Sequence, residues 1–144
     1  MEKTYVPTTH KFVAVLNKKI PVNILMNALA HMSAGLVGSY PEITKMRFDT
    51  YTDKDGNAHK SISDNPYIIL RADNSNKIRT LRYELVTQNI HFVDFISTMT
   101  VGTYAEQQHR TQETSEAELE YYGICLFGEI NTLNTLTRKF SLWQ

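Results

Sequence analysis

Lys11-Phe-Val-Ala-Val-Leu16, the connector Asn17-Lys-Lys-Ile-Pro21, and then Val22-Asn-Ile-Leu-Met-Asn-Ala-Leu-Ala-His31-Met-Ser-Ala-Gly-Leu-Val37 together decide the fold class. The first run is short, apolar and rich in strand formers, so it reads as a buried strand. In the last run Ile24, Leu25, Ala28, Leu29, Met32 and Leu36 recur at helical spacing. Pro21 suits the first turn of that helix, where a missing N–H costs nothing. Gly38 and then Pro41 mark its end. The helix is apolar nearly all round, which predicts packing on more than one side.

The same alternation of strand and helix continues outward. Ile43 to Thr52 alternates well enough for a strand, and Asp53-Lys-Asp-Gly56-Asn57 is a turn followed by a short return strand or loop to Ile62. Pro66 to Leu70 reads as another buried strand. Asp73-Asn-Ser-Asn76 supplies caps for a helix carrying Ile78, Leu81 and Leu85. A strand at Asn89–Ile96, a polar helix from Tyr104 to Tyr121, a strand at Tyr122–Gly128, a short helix at Glu129–Leu136 and a last strand within Lys139–Trp143 complete the pattern. The expected architecture is a single α/β domain over residues 1–144, with a mixed sheet of about four strands and helices on both faces. Thr98–Thr114 is the weakly patterned segment most suited to a mobile loop or lid.

Composition removes several function classes. Of 144 residues 42% are hydrophobic and 21% charged, as in an ordinary globular domain. Fifteen basic residues balance fifteen acidic ones, so electrostatic binding to DNA or to an anionic membrane is not the default. The balance hides an asymmetry: residues 1–82 hold twelve Lys/Arg against seven Asp/Glu, and residues 83–144 hold three against eight. A basic face for a polyanion is one explanation, and a solvated acidic helix near Glu113–Glu120 is the plainer one. The start, Met1 to His10, lacks a basic region, an apolar core and a cleavage site, and no segment suits a membrane span, so a reduced cytoplasm is the expected location. A single cysteine, Cys125, sits in an apolar strand and reads as a small buried hydrophobe. The five histidines form no HExxH or His-x-x-x-His pair, so no metal site and no cofactor are expected.

Four places carry candidate chemistry. Asn23, Asn27 and His31 are spaced by four and form a polar ridge on the first helix. Buried without partners, such groups would cost about 1–3 kcal/mol each, so they are expected to face a crevice or a polar neighbour. His31 there would be available for proton transfer, and the plainer alternative is a core histidine hydrogen-bonded to a loop carbonyl. Asp94 ends an apolar strand, and Thr98 follows four residues later. At the carboxyl end of a strand that carboxylate could orient a water, a hydroxyl or a histidine, or it could cap the next turn. Lys18 and Lys19 occupy the junction where a helix N-terminus offers N–H groups to an anion, although no glycine-rich phosphate loop is present. Arg71, Lys77, Arg79 and Arg82 could contact phosphate or form the wet side of an amphipathic helix.

The order of these pieces carries a resemblance. Phe12-Val-Ala-Val-Leu-Asn-Lys18, Ala30-His31-Met-Ser-Ala-Gly-Leu36, Ile69-Leu-Arg71, Phe92-Val-Asp-Phe95, Tyr121-Tyr-Gly-Ile-Cys-Leu-Phe-Gly128 and Asn131 through Asn134-Thr-Leu-Thr137 resemble the bacterial domain of unknown function 2000 family over nearly the whole chain. That family is similar in fold to the class II peptidyl-tRNA hydrolases. The hydrolases carry an early Gly-Lys pair and a Gln-x-x-His in their first helix, an Asp-x-x-x-Thr after a central strand, and a closing segment. His31, Asp94 with Thr98, and Leu136-Thr137-Arg-Lys-Phe140 match in turn. Asn23 and Ile24 stand where Gly-Lys should be, and Ala28 where Gln should be. The helix lysine is therefore missing, and Lys18 or Lys19 would have to reach in from the loop.

Three readings of function follow. The first is a binding protein for a small molecule, nucleotide or aminoacyl ligand, without the full hydrolase site, using Lys18, Lys19, Asn23 and Asn27 beside His31. The second is a hydrolase of peptidyl-tRNA or a related ester, with His31 moving a proton, Asp94 orienting it or a water, and Thr98 positioning substrate. The third is an interaction module acting as a homodimer, as the family analogy implies.

Overall fold

The computed structural model describes residues 4–144, so residues 1–3 of the N-terminal segment read above lie outside it. β1 (His10–Asn17) is the centre of the molecule. Its side chains alternate between two apolar layers, with Phe12, Ala14 and Leu16 on one face and Val13 and Val15 on the other. Both faces must be covered, and the helices that follow the strands cover them.

α1 (Val22–Ser39) lies on the first face through Leu25, Ala28, Met32 and Leu36. Spacings of three and four put these residues on one stripe, and the small Ala28 sits where the helix meets the sheet. The helix ends at Tyr40, whose extended backbone is the conformation required before Pro41. The expectation that α1 would be packed on more than one side is corrected: Val22 is 56% exposed and Met26 66% exposed. One face meets the sheet, and no element of the described chain covers the other.

β2 (Phe48–Thr52) and β3 (Ala58–Ser63) form a separate hairpin closed at Gly56, which has the positive φ expected there. The expected strand from Ile43 is shorter than the alternation suggested. Ile43–Met46 is a 3-10 turn, and Arg47 at φ 54° breaks the chain direction before β2 begins.

β4 (Tyr67–Ala72) runs parallel to β1. Its chain then enters α2 (Ser75–Thr87), capped by the Asn74 side chain accepting from the Lys77 N–H, and α2 covers the second face with Ile78, Leu81 and Leu85. β5 (Phe92–Ile96) begins later than expected because Asn89, at φ 55°, turns the chain first. The supposed loop at 98–114 holds a 3-10 turn at Ser97–Met99 and α3 (Tyr104–Gln112). That helix stops well short of Tyr121. β6 (Tyr121–Glu129), α4 (Ile130–Thr137) and β7 (Ser141–Leu142) close the fold.

Among the described residues the main sheet therefore has five strands in the order β5-β6-β1-β4-β7. It is mixed, with β1 and β4 parallel and the other pairs antiparallel. α1 lies on one face, and α2 with α4 on the other. Since β5 and β1 are both antiparallel to β6, the carboxyl ends of β1, β4 and β5 gather at one end of the sheet. At that end the β5–β6 ladder slips between Phe95 and Ile96, leaving Tyr122 as the extra residue of a bulge. The slip sends Tyr121 into the α2 layer while Tyr122 stacks beside Phe95 at 6.0 Å.

Candidate functional site

The carboxyl end of β5 opens onto a cleft of about 330 Å³. Val93, Asp94 and Phe95 of β5 form its floor, His31 and Met32 of α1 one wall, and Met99 with Gln107 of α3 the other. The His31 ring lies 6.3 Å from that of Phe95. A second hollow of about 430 Å³, lined by Tyr104, Gln108 and Gln112, shares Met99 and Gln107 with it. Gln107 donates from Nε2 to the Gly102 carbonyl at 3.2 Å, which leaves its Oε1 free to accept.

The lid over this cleft is tied down. Thr103 caps α3 by accepting from the Glu106 N–H. Thr111 gives its hydroxyl proton to the Gln107 carbonyl at 2.8 Å. The Thr98 hydroxyl, 2.7 Å from the same Thr111 oxygen, is then the donor of that pair. Arg110 reaches back to the carbonyls of Thr98 and Val101. Thr98 thus fastens α3 to the end of β5.

Asp94 faces the other way. Strand alternation puts Val93 and Phe95 under α1 and Asp94 under α2. There its Oδ2 accepts from the Arg82 Nε at 2.8 Å, and the guanidinium lies over the Phe92 ring. The backbone of β5 separates the Asp94 carboxylate from the His31 ring. In the sequence Arg82 reads as one of several helix cations, and no local spacing links it to a strand twelve residues on.

The remaining candidates are dispersed. Asn23, Asn27 and His31 are exposed, so the ridge faces solvent and needs no buried partner; only His31 lines the cleft. Lys18 pairs with Asp73 at 3.0 Å. Lys19 contributes its backbone N–H to the side chain of Asn17, and Asn17, 2% exposed, donates to the Tyr121 carbonyl. That bond ties the β1–α1 junction to the start of β6.

The charge asymmetry of the sequence also resolves in space. Arg79 donates to Glu116 at 2.8 Å, and Arg82 pairs with Asp94, so cations of the first half meet acids of the second. Glu116 further accepts from the Tyr83 hydroxyl at 2.6 Å and from that of Tyr121 at 2.8 Å. These donors, Tyr83 foremost, hold its carboxyl near a pKa of about 2. Burial, reinforced by the Glu116 charge, raises the Tyr121 hydroxyl. Cys125 is fully buried beneath α1, and burial pushes its thiol up to about 11. Among the described residues no three His, Cys, Asp or Glu side chains are placed to hold a metal ion, and no helix is long and apolar enough to cross a membrane.

The family model for a protein of unknown function, DUF2000, matches residues 10–144. The chain belongs to that family. Among solved structures it is similar to a protein of unknown function from Agrobacterium tumefaciens, with a TM-score of 0.80 at 18% identity, covering 94% of this chain and 98% of that one. At that identity the likeness concerns the fold. No curated protein matches. The DUF2000 chain described here thus shares its architecture with an uncharacterised neighbour, and its own geometry is what bears on function.

Proposed function

We propose that this DUF2000 protein binds a small molecule in the cleft beneath His31 and does not carry out ester hydrolysis there. The orientation of Asp94 carries this reading. Its carboxylate is held by Arg82 on the far face of β5, and the Thr98 hydroxyl is held by Thr111. A hydrolytic site needs its base, its orienting group and its positioning group within reach of one point. Among the described residues that line the cleft, His31 and Asp94 are titratable, and the Asp94 carboxylate is engaged by Arg82. Apolar walls with a few polar groups are the composition of a binding pocket.

The lining selects a ligand class. Val93, Phe95 and Met99 accept a flat or apolar body. The His31 ring and the free Gln107 Oε1 suit an amide N–H or an exocyclic amine. An N-acylated aminoacyl group or a nucleobase meets both demands. Titration with N-acetyl-phenylalaninamide and with adenosine, followed by NMR, tests this. His31→Ala is expected to weaken binding about tenfold, the loss of one hydrogen bond to a partly desolvated group. Its unfolding free energy should stay within about 0.5 kcal/mol of the parent because the residue is exposed. Unchanged affinity would remove His31 from the site.

The exposed edge of α1 favours a second reading, association of two copies through Val22 and Met26. Met26→Lys would then shift a concentration-dependent sedimentation profile toward the monomer. A profile that is monomeric at every concentration refutes it.

A further inference from the structure

The opposite end of the sheet carries a larger hollow, about 570 Å³, which owes nothing to the His31 cleft. α1 stops at Ser39 and the chain departs through Tyr40-Pro41, leaving bare the sheet surface beyond the helix. Alternation along three strands brings side chains to that surface. His10 shares a face with Phe12 and Ala14, His91 with Val93 and Phe95, and Glu129 with Cys125 and Phe127. His10 and Glu129 are direct cross-strand partners. Tyr40 meets both His91 and Phe127 edge-on, with centroids at 5.2 and 4.9 Å, and the His10 ring stacks on Phe127 at 5.4 Å.

The charge of this hollow has one sign. Glu42 and Glu129 line it, and no lysine or arginine does. Glu42 is matched by Lys45 at 3.2 Å. Glu129 is exposed, and among the described residues its carboxylate has no hydrogen-bond or ion-pair partner. Lys11, the next residue along β1 from His10, turns to the other face and bonds Asn134.

One hydrogen-bond assignment adds an acceptor. Ser39 gives its hydroxyl proton to the Gly35 carbonyl at 2.7 Å. The same oxygen, 2.9 Å from Nε2 of His91, must therefore accept, and Nε2 carries the proton. In that tautomer Nδ1 is left to accept.

Aromatic ring faces, an unmatched carboxylate and an imidazole acceptor all favour a cation. We propose that this cleft binds a small primary amine attached to an aromatic body. Its ammonium group donates to Glu129 and to Nδ1 of His91, and its ring packs against Tyr40 and His10.

The probe is 2-phenylethylamine, with 2-phenylethanol and 3-phenylpropionate as neutral and anionic analogues of similar shape. Binding is followed by ¹H–¹⁵N chemical shifts on the full chain. The amine should shift His10, Tyr40 and His91 while Val93, Phe95 and Met99 stay still, and the propionate should bind at least about tenfold more weakly. Glu129→Gln should weaken the amine by about fivefold to tenfold, as for the loss of one charge-assisted bond at a partly exposed site. Equal binding of amine and propionate, an indifferent Glu129→Gln variant, or no shift at His10, Tyr40 and His91 up to about 10 mM amine overturns the assignment.

Discussion

If Asp94 serves α2 rather than His31, the stability of the chain must report it. The Asp94 side chain is 18% exposed and that of Arg82 33%, with 2.8 Å between Oδ2 and Nε. This pair lies between two known limits. Exposed pairs are worth at most about 1 kcal/mol, and stripping one partner from a fully buried pair costs about 3–5 kcal/mol. Arg82→Met keeps most of the apolar stem but strands the carboxylate, so it should cost about 2 kcal/mol. Asp94→Asn leaves an amide oxygen that can still accept, and should cost about 1 kcal/mol. In a chain of this size each kcal/mol moves the midpoint by about 3–5 °C, so Arg82→Met should melt about 6–10 °C lower. Combining the two changes should recover about 1 kcal/mol, because the stranded charge is gone. Urea unfolding followed by circular dichroism on the four proteins measures that coupling. Additivity within about 0.3 kcal/mol would refute the pairing, as would a coupling found instead between Asp94→Asn and His31→Ala.

Three other expectations concern the framework around the site. Glu116, held near a pKa of about 2 by Tyr83, Tyr121 and Arg79, is ionised in the folded chain well below its ordinary 4.5. A depressed carboxylate stabilises the fold above its unfolded pKa, and the contribution is lost as pH falls through the folded one. Stability should therefore drop between about pH 4.5 and 2, by about 1–2 kcal/mol after solvent screening of a side chain 35% exposed. Tyr83→Phe should flatten that drop, and an identical acid titration would contradict the assignment. Cys125 should resist iodoacetamide in the native chain and react once urea unfolds it, since it is fully buried with a thiol raised to about 11; rapid native labelling would show an open path under α1. Asn17→Leu should cost about 1–3 kcal/mol by orphaning the Tyr121 carbonyl and the Lys19 N–H, whereas a neutral result would mean that water replaces both bonds.

The legible parts of the fold were those written in local period. Val13 and Val15 against Phe12, Ala14 and Leu16 announce a strand buried on both faces, and Leu25-Ala28-Met32-Leu36 announce the helix that covers one of them. Asp53 to Gly56 spells out its own turn. What local pattern could not supply is the direction of single side chains. Asp94 reads as a residue at a strand end in either case, and only the parity of Val93 and Phe95 under α1 sends it to the opposite layer. Arg82 meets it through tertiary packing, which leaves no mark on spacing. Asn23, Asn27 and His31 share one line of the helix, as their spacing requires, but the apolar abundance around them suggests a burial that the fold does not provide. Val22 and Met26 are exposed with them, because one sheet face offers room for only one stripe. The hollow around His10, Tyr40, His91 and Glu129 joins four distant segments and had no sequence signature at all.

The central claim is that the cleft beneath His31 binds without hydrolysing, and one NMR titration with N-acetyl-phenylalanine methyl ester addresses both halves. The amide shifts of Val93, Phe95, Met99 and Gln107 report occupancy, and the methyl signal of released methanol reports cleavage in the same tube. The account expects saturable shifts at those four residues, with methanol appearing no faster than in a protein-free blank. Methanol release that outpaces the blank and disappears in His31→Ala would contradict it, as would saturation with those four residues unmoved.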